Sequence, residues 1–301
     1  MESVLPIRTH GAYRQSSLVL GTAQLGMAYG IANRAGVPDD DTVAGILETA
    51  RRLGVSHVDT ARAYGESERR IGTALRGRDD LAVITKIAPG GAVRESLDRS
   101  RAALERRGPL TVLLHRAADV DDGWADLRQV LHSGEANRIG VSVQSPAELY
   151  RILPLPDLGY VQLPCNVLDR RWLDPRLTEA LAAREDLVVT VRSAYLQGLL
   201  VAGTAVTWPH LPDTERDAVV ALLDGLVDDL GRTGRDDLCI AYLLSFPWVT
   251  SVVVGAETED QLRVNADLAG RTPLTEAERE SVLATLPEMP ADLLDPSRWS
   301  A

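Results

Sequence analysis

Lysine is almost missing from this chain. Of 32 basic side chains, 31 are arginine and one, Lys86 in LAVITKIAPG (81–90), is lysine. Codon composition of a GC-rich source would account for the arginines; it would not account for the survivor. Cysteine is nearly as scarce: Cys165 and Cys239 cannot build a disulfide framework and lack the spacing of a zinc site. No metal is expected, and a reducing, cytoplasmic setting fits. Aromatics make up 4% of residues, with a single Phe, so a strongly aromatic binding slot is excluded. Positive charge is in deficit: the net charge of −11 argues against nucleic acid or an anionic membrane as partner. No 18 apolar residues run together, and MESVLPIRTHGAYRQSS has no continuous apolar core of the kind an export signal needs. Pro/Ser-rich linkers, duplicated motifs and low-complexity tracts are also absent, so the 301 residues read as one domain.

What the chain does have is alternation. Eight short, near-continuously apolar runs recur: SLVLG (17–21), VSHVD (55–59), LAVIT (81–85), LTVLLH (110–115), RIGVSV (138–143), YVQL (160–163), LVVTVR (187–192) and SVVVG (251–255). Runs of that kind suit parallel strands covered on both faces. Amphipathic stretches separate them. In DTVAGILETARRLG (41–54), Val43, Ile46, Leu47 and Ala50 share one helical face, Asp side chains stand at the start and Gly54 at the end. Eight strand and helix pairs predict an α/β fold, a single-domain (β/α)8 barrel over 1–301, with a lead-in (1–16) and a tail (286–301).

Chemistry in such a barrel gathers at the C-terminal ends of the strands. The ends of the second, third and fourth runs supply Asp59, Lys86 and His115, and Tyr64 lies in the loop DTARAYGESE just beyond Asp59. Each has an ordinary reading alone: a helix cap, a loop brace, a buried histidine. Their convergence on consecutive strand ends favours a joint role. A phenol is a weak acid in water, ionising near pH ~10. An adjacent ammonium makes a phenol a better proton donor, and a carboxylate fixes the ammonium. Lys86 between Asp59 and Tyr64 would do both, whereas arginine would spread its charge over a wide plane and take no part in proton transfer. His115 could orient the same substrate oxygen.

Several segments in order resemble the aldo-keto reductases: LGTAQLGMAYGIAN (20–33), HVDTARAYGESERRIG (57–72), ITK (84–86), LLHR (113–116), RIGVSV (138–143), VQLPCNVLDRR (161–171), RSAYLQGLL (192–200) and VVVGAETEDQLRVNA (252–266). The resemblance implies that Asp59, Tyr64, Lys86 and His115 form a catalytic tetrad with tyrosine as general acid. It also implies NAD(P)H stretched across the barrel mouth and hydride transfer to an aldehyde or ketone. Nicotinamide contacts are then expected from Thr22, Asp59, Ser142, Gln162, Arg192, Ser193, Tyr195, Leu196, Gln197 and Gly198. Adenosine contacts are expected from Gly255, Ala256, Glu257, Gln261 and Asn265.

Three departures stand out. Val143 follows Ser142 where many relatives carry Asn. Arg192 precedes Ser193 where relatives often place an aromatic ring. Glu257, Glu259 and Asp260, with only Arg263 nearby, occupy the segment where relatives that bind NADP offer cations. The resemblance still favours NADP(H) over NAD(H), and the acidic stretch weakens that preference.

The substrate pocket would be shaped by Met27 to Val37, Arg116 to Asp122, Leu199 to Asp213 and Leu286 to Ala301. Tyr29, Arg116 and Trp208 are its candidate contacts, and a polar carbonyl such as a keto-sugar or natural-product intermediate is the expected small-molecule partner. Two other readings stay open. A barrel aldolase could use Lys86 as a Schiff-base nucleophile, and a non-catalytic nucleotide-sensing subunit could keep the same fold.

Overall fold

The computed structural model describes residues 5–34 and 36–299; residues 1–4 of the lead-in, Ala35 of the first mouth loop and 300–301 of the tail lie outside the described residues. Strands β1 (Ile7–His10) and β2 (Tyr13–Ser16) pair as an antiparallel hairpin. Eight further strands follow: β3 (Leu18–Gly21), β4 (His57–Asp59), β5 (Ala82–Ile87), β6 (Leu110–Leu114), β7 (Ala136–Ser142), β8 (Tyr160–Pro164), β9 (Val188–Arg192) and β10 (Ser251–Gly255). Each pairs in parallel with its sequence neighbour, and β10 closes onto β3, giving the single-domain (β/α)8 barrel. All eight coincide with the apolar runs of the sequence. Differences are confined to ends: β5 continues two residues past the run, through Lys86 to Ile87, and His115 falls just beyond β6.

Local signals start and stop the helices between strands. Asp39 Oδ1 accepts the Thr42 N–H at 2.8 Å and opens the helix Asp40–Arg52; Gly54, at φ +78°, takes the left-handed turn that ends it. That helix buries Val43, Ile46, Leu47 and Ala50, the face its spacing predicts. Thr258 caps Glu259–Gly270, and Thr275 with Glu278 forms a reciprocal capping box before Glu276–Thr285.

The lead-in does more than enter the fold. The β1–β2 hairpin closes the N-terminal end of the barrel, where Gln15 Nε2 donates to Ser251 Oγ (2.9 Å), Tyr160 Oη (3.2 Å) and Thr190 Oγ1 (3.2 Å). Tyr13 packs beside the interior layer of Val19, Ile84, Leu113, Tyr160 and Val188. With the hairpin at this end, the cleft beside the strand-end side chains opens at the C-terminal mouth.

Strand closure also restricts residue size. A methyl group added at Gly140 of β7 would stand 1.9 Å from the Tyr160 carbonyl oxygen of β8, a backbone atom that cannot step aside. Gly140→Ala is therefore expected to destabilise the barrel by about 1–3 kcal/mol, read as a lower urea midpoint at unchanged slope; an unchanged midpoint would contradict the close approach.

Candidate active site

Lys86 is buried, and its ammonium donates to Asp59 Oδ1 at 2.6 Å and to the Thr60 carbonyl at 3.0 Å. The second carboxylate oxygen, Oδ2, accepts the Gln162 side-chain N–H at 2.9 Å. Parallel pairing sets this up. Asp59 at the end of β4 lies opposite Ile84 of β5, so Lys86, two residues on and on the same face, reaches back over it. Thr22 anchors the strand end by donating its N–H (3.0 Å) and hydroxyl (2.8 Å) to the Asp59 carbonyl. Below runs a buried hydroxyl network in which Ser67 Oγ bonds to Thr22 Oγ1 (2.9 Å) and Thr60 Oγ1 (3.0 Å).

Burial by itself would lower the proton affinity of Lys86. The charges and hydrogen bonds of Asp59, and then of Tyr64, outweigh it, and the net direction is upward. The side chain is a fixed ammonium. Its Nζ stands 5.0 Å from the centre of the Tyr64 ring, and that ring meets His115 edge-on with centroids 5.8 Å apart and planes at 88°. Tyr64 is held in a tight turn by its N–H to the Ala61 carbonyl (3.0 Å), and its own carbonyl accepts the Ser67 N–H (3.0 Å). Gly26 lets the neighbouring loop come this close, because a Cβ there would stand 2.0 Å from the Tyr64 carbonyl oxygen. His115 is pushed down to about 3, first by burial and then by the positive charges of Lys86, Arg192 and Arg116. It is a neutral imidazole whose Nδ1 has no hydrogen-bond partner among the described residues.

Beside this cluster opens a cleft of about 600 Å³, within the usual range for a small-molecule site. Of the residues expected at a dinucleotide, Thr22, Asp59, Arg192, Ser193, Tyr195, Gln197, Gly198, Gly255, Glu257, Gln261 and Asn265 line it, as does Tyr29. Ser142 and Gln162 are buried beneath, while Leu196 and Ala256 turn into the core. Arg116 stands exposed next to His115 outside the cleft lining. Trp208 corrects an expectation: the indole is 1% exposed and donates to the Gly203 carbonyl at 3.0 Å, so packing holds it away from the mouth.

Sequence reasoning passed over Gln24, Asp236 and Val264, which also line the cleft, as do Ala32 and Val201 from the loops expected to shape it and Asp260 from the acidic stretch. Asp236, in a helix after the long β9 loop, carries no local signal. The loop after β9 is unusual in its backbone: Ser193 (φ 63°), Leu196 (φ 47°) and Gln197 (φ 54°) are left-handed without being glycine. Such strain gathers at functional sites. The Gln197 carbonyl accepts the Ala32 N–H at 3.4 Å, joining this loop to the one after β3 across the cleft.

The residues present fit a nicotinamide dinucleotide. Gln162 Oε1 is buried at the cluster with no hydrogen-bond partner among the described residues, an acceptor suited to a carboxamide. At the far end, the helix Glu259–Gly270 begins at the cleft wall, and its first amides favour an anion.

Fold and cleft place the protein among barrel enzymes with chemistry at the C-terminal mouth. The aldo/keto reductase family model matches residues 17–284, and the chain belongs to that family, the NAD(P)H-dependent oxidoreductases. Its fold is also that of solved reductases. Aldo-keto reductase AKR11C1 from Bacillus halodurans, holo form, is 22% identical over 95% of this chain and 97% of its own, with a TM-score of 0.77. Glycerol dehydrogenase AKR11B4 from Gluconobacter oxydans is 21% identical over 94% and 95%, with a TM-score of 0.76. No curated protein sequence matches the chain. Among the described residues no cluster of three His, Cys, Asp or Glu side chains could hold a metal, and no helix is long and apolar enough to cross a membrane.

The depressed value for His115 generates a direct check. A ¹⁵N NMR titration from neutral pH to about pH 5 is expected to leave its ring neutral, far from the ordinary midpoint near 6.5; a protonation step near that midpoint would mean the imidazole is neither desolvated nor surrounded by cations.

Proposed function

We propose that this protein reduces the carbonyl of a polar aldehyde or ketone, with Tyr64 as general acid, Lys86 and Asp59 as the pair that supports it, and His115 as the group that orients the carbonyl. The observation carrying this reading is the buried Lys86 ammonium held 2.6 Å from Asp59 and 5.0 Å from the centre of the Tyr64 ring. When bound, the reduced nicotinamide supplies a hydride to the carbonyl carbon. Tyr64 gives its proton to the carbonyl oxygen, and the ammonium of Lys86 stabilises the negative charge left on the phenol oxygen. Neutral His115 can donate one hydrogen bond to the same oxygen without competing as an acid. Gln162 and Ser142 are suited to the nicotinamide carboxamide, and Arg192 to Gly198 to the wall beside it. Tyr29 is the candidate substrate contact in the cleft itself. Two buried thiols and no paired cysteines suit a cytoplasmic enzyme.

The aldolase reading loses ground on charge. A Schiff-base nucleophile needs a free amine, and Asp59 keeps Lys86 protonated. A nucleotide-sensing role without turnover would leave the Tyr64 and His115 arrangement without a use.

Between the two dinucleotides, the family resemblance points to NADP(H) and the local charges to NAD(H). Glu257, Asp260 and Asp236 line the cleft, and Arg263 is held by Glu259 at 3.0 Å and approached by Asp260 at 3.8 Å. A 2′-phosphate adds nearly two negative charges and would meet carboxylates. These charges revise the sequence-based preference, and NAD(H) is the proposed cofactor.

Fluorescence titration is expected to give tighter binding of NADH than of NADPH; the reverse order would restore NADP(H). Tyr64→Phe should lower carbonyl reduction by about 10²-fold or more with dinucleotide affinity nearly unchanged. Lys86→Arg should fail similarly despite keeping the charge, and full activity in that variant would remove the reason for a lysine at this position.

A further inference from the structure

Four carboxylates are buried among the described residues: Asp59, Glu68, Asp169 and Asp237. Asp59 belongs to the cluster at the mouth. Asp169 serves its own turn, accepting from Arg171 (2.6 Å) and the Trp172 indole (3.2 Å), and Asp237 joins Thr233 (3.0 Å) to Arg271 (3.1 Å). Glu68 differs in what it joins. It stands in the first turn of the helix Ser67–Ala74 and is 1% exposed. Its Oε1 accepts the Thr85 hydroxyl at 2.6 Å, and its Oε2 pairs with the Arg62 guanidinium. Thr85 immediately precedes Lys86 in β5, and side chains alternate along a strand, so Thr85 faces the helix while Lys86 faces Asp59. Arg62 lies two residues before Tyr64, and its N–H donates to the Lys86 carbonyl at 3.1 Å. The turn that carries the phenol is therefore attached twice to the strand that carries the ammonium, once through the backbone and once through the Glu68 carboxylate.

Stability is a poor reason for a charge in this place. Glu68 must be desolvated, its partner Arg62 is still 27% exposed, and apolar groups in place of a buried ion pair are often neutral or stabilising. What the pair supplies is a single arrangement. Short, charge-assisted bonds to two partners are satisfied together only when turn, helix and strand keep one mutual placement. Tyr64 is half-buried, so core packing by itself does not set its ring. We propose that Glu68 is a positioning residue for the proton donor: its carboxylate, bridging Arg62 and Thr85, holds the Tyr64 turn against β5 and so sets the approach of the phenol to Lys86. This deepens, and rests on, the reading of Tyr64 as general acid with Lys86 as its support. A misplacement of about 1 Å between such groups can cost up to about 10²-fold in rate.

The test uses Thr85→Val, which removes the hydroxyl donor, Thr85→Ser, which restores it, and Glu68→Gln, which removes the charge. Single-turnover reduction of DL-glyceraldehyde and of methylglyoxal is followed at saturating dinucleotide and expressed per titrated dinucleotide site. Thr85→Val and Glu68→Gln should each lower the rate by about 10-fold with dinucleotide affinity unchanged, while Thr85→Ser stays close to wild type. The double variant should be no slower than the slower single one, because both changes break one link. A second readout needs no turnover. The ring current of Tyr64 displaces the His115 ring-proton NMR shifts, which should move in Thr85→Val and Glu68→Gln and hold in Thr85→Ser. Should Glu68→Gln fail to fold, Thr85→Val still decides, since it leaves the pair with Arg62 in place. Unmoved His115 shifts, a wild-type rate per site despite a lower urea midpoint, or additive losses in the double variant would overturn the positioning role and leave the reductase reading intact. A wild type that reduces neither carbonyl with either dinucleotide would overturn the reductase reading, and the role assigned to Glu68 with it.

Discussion

The Lys86 and Asp59 pair is the constraint around which the mouth of this barrel is arranged. Both groups are buried and 2.6 Å apart. Desolvating two charges is costly, and their attraction offsets that cost only when the remaining polar atoms are also satisfied. Here the pair is supported on both sides: the Thr60 carbonyl takes a second ammonium proton, the Gln162 side-chain N–H donates to the second carboxylate oxygen, and Thr22 ties down the strand end. Removing one partner would leave an uncompensated buried charge, a loss of about 3–5 kcal/mol in comparable pairs. Such a position calls for lysine in a chain whose other basic residues are arginine, because a planar guanidinium fits poorly in the space of a point charge enclosed on several sides.

The barrel keeps this pair in register and the loops give it something to act on. Closure of β10 onto β3 and the hairpin at the opposite end leave the cleft at the C-terminal mouth. Two loops then reach across: one after β3, carrying Tyr29 and Ala32, and one after β9, carrying the left-handed Ser193, Leu196 and Gln197. Charge divides along the cleft, whose lining holds the carboxylates of Asp236, Glu257 and Asp260 together with the guanidinium of Arg192.

Much of this was legible in the order of residues. Strands buried on both faces are written as continuous apolar runs, so all eight could be located without coordinates. Asp59, Lys86 and His115 were visible because a barrel places consecutive strand ends side by side, and Tyr64 because it follows one of them closely. Other features were not. The hairpin plug depends on Gln15 meeting Tyr160, Thr190 and Ser251, residues more than a hundred positions away. Trp208 looked like a mouth residue because its loop is long, but core packing took the indole. Asp236 reaches the cleft from the first turn of a helix whose continuous apolar run says only that it is buried.

The sequence by itself determined the strand and helix alternation, the single domain and the identity of the ionisable groups at the strand ends, since these depend on local periodicity and spacing. Tertiary structure alone decided which atoms meet: Gln162 with Asp59, Ser67 with Thr22, Arg192 with Gln144 rather than with a carboxylate. The physical reason is range. Burial patterns are set by a residue's neighbours along the chain, whereas hydrogen bonds and charge pairing depend on separations of a few ångströms between segments that only barrel closure brings together.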